Sequence, residues 1–312
     1  MKNSTTHKRI PAKKRGNTPG FLFFKWLIRL GGLKGAYGFL HFVCAYYLLF
    51  DSSAVKNALA YIRRRFPEAG ALKKRWHVYR LFISQGQQLV DRYAAVANAE
   101  SFTFDFVGGS SLDSVISSDK GAILLTSHVG NWQIALTTLR NMKKTVYLVI
   151  RPEDNDAVEK ALKINKTDDM IKIISPQEYL GGVTSIIKAL NEGSIVAIMG
   201  DRPYHFPAVE ADFLGEPFRF PHGPFFIAAS VGVPVVIFLA MKTGPQKYTV
   251  DISKCLYPAY DSNNKKKEQS RSFVQEYADI LTDFVHRYPY QCFLFYDGWV
   301  TKGNKSIKEE GV

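Results

Sequence analysis

From about residue 100 onward, short apolar runs alternate with longer segments of helical periodicity, and this constrains the fold more than any other feature of the chain. The runs at 103–107, 121–127, 145–151, 171–174, 194–200, 233–241 and 247–253 read as strands. Segments 131–141, 155–164, 177–191, 224–231 and 268–287 read as helices between or after them. The runs are short, several are rich in Val, Ile and Leu, and a helix after a strand returns the chain for a parallel pairing. The expectation is an α/β fold: a central, mostly parallel sheet flanked by helices. The pair 233–241 and 247–253, joined by Thr243-Gly244-Pro245, reads as an antiparallel edge hairpin. Upstream, 53–98 is helical, with Ser52-Ser53 as an N-cap, a break at Phe66-Pro67-Glu68, and a second helix from Leu72 to Ala97. On that second helix Trp76, Tyr79, Phe82, Ile83, Leu89, Val90 and Tyr93 form a stripe expected to face the core.

Chemistry in open α/β sheets gathers at the carboxyl ends of strands. There the chain carries Thr126-Ser127-His128-Val129-Gly130-Asn131-Trp132-Gln133, a strand ending in a histidine, then a glycine turn and a helix start. A turn of this kind can offer backbone donors to an oxyanion or phosphate. On one continuous helix His128 and Gln133 would diverge by ~140°, so they can meet only because the turn separates them. Two further strand ends carry Arg151-Pro152 with Asn155, and Asp201-Arg202-Pro203. Between Asp212 and Pro224 come Arg219 and Pro221-His222-Gly223-Pro224, with Pro224 suited to the first turn of a helix. Each of these residues taken alone also suits a packing, capping or surface ion-pair role.

The segments 21–30 and 35–50 are the most apolar of the chain, and the second has no formal charge. A helix of its length spans ~24 Å, short of a hydrocarbon core of ~30 Å. Basic residues lie on both sides of it. The pattern predicts a helical anchor lying in or dipping into the cytoplasmic leaflet, held by Lys25, Arg29 and Lys34. A tilted single span and a buried core helix are the alternatives. A cleavable leader fits poorly, because the apolar region starts late and lacks a small-residue cleavage site. The expected organisation is a basic disordered arm over 1–20, the anchor over 21–50, one catalytic domain over 53–301 and a flexible tail over 302–312.

Lys and Arg number 41 against 28 Asp and Glu, a net charge of +13, which suits an acidic protein or an anionic membrane surface. Nucleic acid is not expected, because the aromatics lie in apolar runs rather than interleaved with arginines. Cys44, Cys255 and Cys292 have unrelated spacings and form no CxxC or Cys/His pattern, so neither a disulfide framework nor a structural metal is expected.

In order and spacing these elements resemble the lysophospholipid acyltransferase superfamily, specifically the late (lauroyl/myristoyl) acyltransferases of lipid A biosynthesis. Phe66-Pro67-Glu68 resembles an early element of that branch. Ser127 to Gln133 falls on its His-(x)4-Asp/Glu motif, with Gln133 where the carboxylate usually stands. Arg151-Pro152 with Asn155, then Asp201, Phe213-Leu214-Gly215 and Pro221-x-Gly223-Pro224, look like its later blocks. Tyr288-Pro289-Tyr290-Gln291 is similar to its C-terminal element.

The resemblance implies an acyltransferase with His128 as general base. It would move a fatty acyl group from an acyl carrier protein or coenzyme A thioester to a hydroxyl or amine of a lipid or glycolipid. No cofactor or metal is implied, and the location is the bacterial inner membrane with the catalytic domain on the cytoplasmic side. Gln133 and Asp201 join His128 as candidate catalytic residues. Asn131, Arg151, Arg202, Arg219 and Gly223 are candidate substrate-binding residues. Gln133 can fix the imidazole tautomer but cannot stabilise imidazolium by charge. Three explanations fit it: an acceptor that needs less help, a carboxylate such as Asp201 folding in, or a catalytically inactive lipid-binding or scaffolding protein. Tyr296-Asp297-Gly298-Trp299 stands where lipid A enzymes carry His or Arg. There the chain is closer to acyltransferase-like proteins of aryl polyene or flexirubin-type pigment pathways.

Overall fold

The computed structural model describes residues 18–109, 115, 117–135, 138, 144–150, 170–177, 182–203, 207–260 and 266–300. The expected helix 155–164, residues 1–17 of the basic arm and the tail 302–312 lie outside them. The architecture is mixed α/β. Seven helices run in chain order as α1 (Thr18–Phe50), α2 (Ser52–Arg65), α3 (Ala71–Ala97), α4 (Trp132–Ala135), α5 (Val183–Asn191), α6 (Gly223–Val231) and α7 (Lys266–Arg287) among the described residues.

The strands divide among three sheets rather than one. The largest has β2 (Ala122–Thr126), β3 (Val146–Val149), β4 (Ile171–Ile174), β5 (Ile195–Met199), β8 (Val235–Ile237) and β11 (Cys255–Leu256), in spatial order β11-β8-β2-β5-β3-β4. All its neighbouring pairs are parallel except β11 with β8. Alternate residues of β2 and β5 enter different apolar clusters: Ile123, Leu125, Val196 and Ile198 on one face, Ala122, Leu124, Ile195 and Ala197 on the other. Burial on both faces is why these strands read as continuous apolar runs.

Only the end of the run 233–241 enters the expected antiparallel edge hairpin with 247–253. The run splits, with β8 joining the large sheet and β9 (Leu239–Gly244) starting a second sheet of order β1-β10-β9. There β10 (Lys247–Asp251) is central, antiparallel to β9 and parallel to β1 (Thr103–Val107). A third sheet, the hairpin of β6 (Ala208–Phe213) and β7 (Glu216–Pro221), was not anticipated. Its turn residues Leu214 and Gly215 both have positive φ, which matches the twist of a two-residue hairpin. Val209, Ala211, Phe213, Phe218 and Phe220 alternate inward along it, a period-two pattern that was available in the sequence. The indole of Trp299 lies against Phe213 and Phe218, and its Nε1 donates to the Phe213 carbonyl (3.1 Å).

The two apolar N-terminal segments form one helical element broken at Gly32 (φ 62°), where a Cβ would meet nothing but the backbone conformation suits glycine. Trp26–Phe50 is long and apolar enough to cross a membrane, and only 17% of its 18-residue apolar window is buried. One face packs Ala36 and Leu40 on Val90 of α3. Gly86 permits this approach, since a Cβ there would lie 2.9 Å from a Leu40 methyl. Phe42, Tyr46, Leu49 and Phe50 remain exposed.

The cap of α2 is Asp51, whose carboxylate accepts from the Ala54 amide (2.8 Å), not Ser52 or Ser53. On α3 the buried stripe is Val78, Leu81, Phe82 and Val90, whereas Trp76 and Leu89 are exposed. The basic run Arg63-Arg64-Arg65 is partly internal. Arg64 pairs with Glu216 (2.8 Å) and covers the Trp299 ring, and Arg65 donates to the carbonyls of Val285 and His286.

Candidate active site

The paired register of β2 and β5 sets Thr126 opposite Met199, so the residues two beyond each strand, His128 and Asp201, emerge side by side. The Asp201 carboxylate receives the His128 backbone N–H (2.6 Å), and both its oxygens lie 3.0 Å from the ring Nδ1. An ionised carboxylate only accepts, so the proton sits on Nδ1 and Nε2 carries the lone pair. Nε2 has no partner among the described residues. Asp201 is fully buried, which by itself would raise its pKa. The charge and hydrogen bonds of His128, with Arg202 beside it, outweigh burial and hold the carboxyl below its usual value.

The turn that carries His128 is clamped from two sides. The Gly130 amide donates to the Gln291 carbonyl, the Asn131 amide to the Ala240 carbonyl, and the Phe293 amide to the His128 carbonyl, each at 2.7 Å. Gly130 has φ 58°, and a Cβ there would come within 1.7 Å of the Ala240 oxygen, so the sharp turn requires glycine. The amides of Gly130 and Asn131, expected from sequence as oxyanion or phosphate donors, are therefore already engaged.

His128 lines a cavity of about 280 Å³ together with Gln88, Leu89, Trp132, Gln133, Arg202 and Phe293. Gln133 makes no hydrogen bond to His128 among the described residues. Its Oε1 accepts from the Arg92 guanidinium, and Asp201 stands in the orienting place that sequence spacing assigned to position 133. Arg202 donates to the Leu294 carbonyl, and its buried Nε has no hydrogen-bond partner among the described residues. Asn131 also lines the cavity, but its side chain serves the fold: Nδ2 donates to the Gln88 carbonyl (3.0 Å) and the Tyr248 hydroxyl (3.2 Å), and Oδ1 accepts from the Ile134 amide (3.3 Å).

Arg219 and Gly223 are not among the cavity-lining residues. Arg219 sits on β7 across from Glu210 (3.8 Å), and Gly223 opens α6. Arg151 and Asn155 lie outside the described residues.

The family model of the bacterial lipid A biosynthesis acyltransferases matches residues 18–301, nearly the whole chain. The chain belongs to this family. It is an acyltransferase enzyme, and the histidine-centred cavity lies within the matched span. No curated protein matches the chain significantly.

Sequence reasoning missed the buried polar network behind the turn of this acyltransferase. Asp91 of α3 has no exposed surface, and its carboxylate receives the Tyr37 and Tyr248 hydroxyls and the Lys242 ammonium. Tyr248 in turn meets Asn131, so the network joins α1, α3, β9 and β10 to the His128 turn. Burial, then the adjoining Asp91 carboxylate, keeps the Tyr248 hydroxyl protonated. Gln291 is the second link. Its Oε1 accepts from the Gln88 side chain (3.1 Å) and the Lys242 amide (2.8 Å), while its Nε2 donates to the Lys242 carbonyl (2.9 Å). The only prior signal for these residues was Gln291 within the C-terminal motif.

Proposed function

We propose that this acyltransferase moves a fatty acyl group from a thioester to a hydroxyl or amine of a lipid or glycolipid, with His128 as general base. The observation that carries the reading is the His128–Asp201 pair, a tautomer-fixed imidazole whose free Nε2 belongs to a cavity-lining ring. In the proposed step Nε2 takes the proton of the acceptor O–H or N–H. The acceptor atom bonds to the thioester carbonyl carbon, the C–S bond breaks, and the thiol leaves with the proton. Asp201 orients the ring and stabilises imidazolium as it forms, in the manner of a base–orienter pair. Arg202 is assigned to the developing carbonyl oxyanion, since it lines the cavity with His128 and its buried Nε has no partner among the described residues.

The donor is read as acyl carrier protein or coenzyme A, and the net charge of +13 favours an acidic carrier. Residues 21–50 are read as a membrane anchor, 53–301 as the catalytic domain, and the location as the cytoplasmic side of the bacterial inner membrane. The exposed apolar flank of α1 supports that placement. Acyl transfer from acyl carrier protein, assayed in isolated membranes with wild type and His128→Ala, tests the reading. Transfer is expected to fall to background in the variant. Undiminished transfer would overturn the assignment of His128 as the base, whereas no turnover by wild type with any thioester would favour an inactive lipid-binding protein.

A further inference from the structure

A second cavity, of about 510 Å³, lies on a neighbouring face of α3 and takes no part in the proposed acyl transfer. Its walls are His41 of α1, Trp76, Tyr79 and Arg80 of α3, and Arg287 with Tyr290 at and beyond the end of α7. No carboxylate lines it, and among the described residues neither arginine is paired with one.

The Arg80 guanidinium carbon lies over the Tyr290 ring, 4.3 Å from its centroid. Tyr290 is itself fixed, because its hydroxyl lies 2.8 Å from His77 Nδ1. The His77 ring stacks on Phe66 with centroids 3.9 Å apart and planes 3° from parallel. This column uses Phe66 and Tyr290, two residues that the proposed acyl-transfer site does not itself employ. A guanidinium stacked by its face leaves its N–H edge free, the geometry that takes a phosphate in two parallel hydrogen bonds.

We propose that this cavity binds the phosphate of an anionic phospholipid headgroup, with Arg80 and Arg287 as its cationic contacts. The lipid source, rather than free phosphate, follows from the surroundings. Trp76 is 55% exposed and stacks beside Tyr79 at the cavity, and α1 continues from His41 into exposed Phe42, Tyr46, Leu49 and Phe50. Phosphate recognition therefore sits next to an apolar flank that acyl chains can cover. The proposal rests on the membrane association read above, not on the acyl-transfer chemistry.

The test is calorimetric titration of the full chain in neutral detergent with short-chain dihexanoyl phosphatidic acid, dihexanoyl phosphatidylcholine and inorganic phosphate. Phosphatidic acid is expected to bind about tenfold or more tightly than either other ligand, and Arg80→Ala/Arg287→Ala to weaken it by about tenfold or more. Arg80→Lys/Arg287→Lys, which keeps charge and stems should the alanine variant not fold, is expected to fall between the two because it loses the planar fork. Equal binding of phosphatidylcholine, inorganic phosphate binding as tightly as the lipid, or unchanged affinity in a folded variant would overturn the proposal. His128→Ala is expected to bind phosphatidic acid as wild type does. Its loss of thioester hydrolysis with donor alone reports on the other cavity, so the two readings fail separately.

Discussion

Asp201→Asn isolates the charge behind His128 while preserving shape. In the wild type one carboxylate accepts the His128 backbone N–H at 2.6 Å and faces Nδ1 with both oxygens at 3.0 Å. An asparagine that keeps its oxygen on the shorter backbone bond must point its NH2 at Nδ1. The ring then shifts its proton to Nε2, and the base is occupied before the acceptor arrives. Restoring the reactive tautomer leaves a buried donor facing a donor, at about 1–3 kcal/mol. Forming imidazolium without its carboxylate loses a further contribution of up to ~4 kcal/mol, the value for unit charges about 4 Å apart at an effective dielectric constant near 20. Together these give about 1–7 kcal/mol, and a mid-range barrier increase of about 3–5 kcal/mol corresponds to a kcat lower by ~10²–10⁴. The assay is steady-state acyl transfer at saturating donor, with KM measured in parallel. A kcat within tenfold of wild type, or a loss confined to KM, would refute the argument that Asp201 orients the base. The pH dependence of stability supplies a control. The folded-state pKa of Asp201 is depressed, so its stabilisation is fully present above the ordinary carboxylate value of 3.8 and is lost as pH falls through the lower folded value. Asp201→Asn is accordingly expected to be less stable than wild type at neutral pH, with the gap closing in acid.

Gln133→Ala is expected to lower kcat less than tenfold and Gln133→Glu to keep or raise activity, because the Gln133 side chain bonds Arg92 rather than His128, the proposed base; parallel kcat measurements check both. Gly130→Ala forces a Cβ into the Ala240 carbonyl at positive φ, so a lower melting temperature and loss of transfer are expected together, read by circular dichroism and the same assay. Lys242→Met leaves the Asp91 carboxylate buried without its cation, at about 3–5 kcal/mol of stability in denaturant titration. Adding Asp91→Asn to Lys242→Met is expected to recover part of that loss, since the buried charge is gone.

His128 stood out in the sequence because a buried apolar strand led straight into it and Gly130 followed, and both features depend only on local pattern. Arg202 was legible for the same reason, as a residue just past a strand. Gln133 misled because spacing along the chain says which residues are near in sequence, not which strand lies beside β2. The hairpin of β6 and β7 carries a weak strand signal, because Pro217 and Pro221 flank Phe218-Arg219-Phe220 and proline is disfavoured inside strands. Trp76 and Leu89 fit a helical stripe, but which part of that stripe is covered depends on where α1 and the C-terminal segment pack.

The chain by itself determined the alternation of strands and helices, the apolar N-terminal helix, and the strand ends on which reactive side chains stand. These follow from periodicity and local backbone preference, which act over a few residues. Only the tertiary structure decided that β5 pairs with β2 in the register that sets Thr126 against Met199, and so brings Asp201 to His128. It likewise decided that Asp91, Lys242 and Tyr248 meet behind the turn. Those partners are separated by 73 to 157 positions, and their meeting is fixed by burial of the whole sheet rather than by any signal near them in the chain.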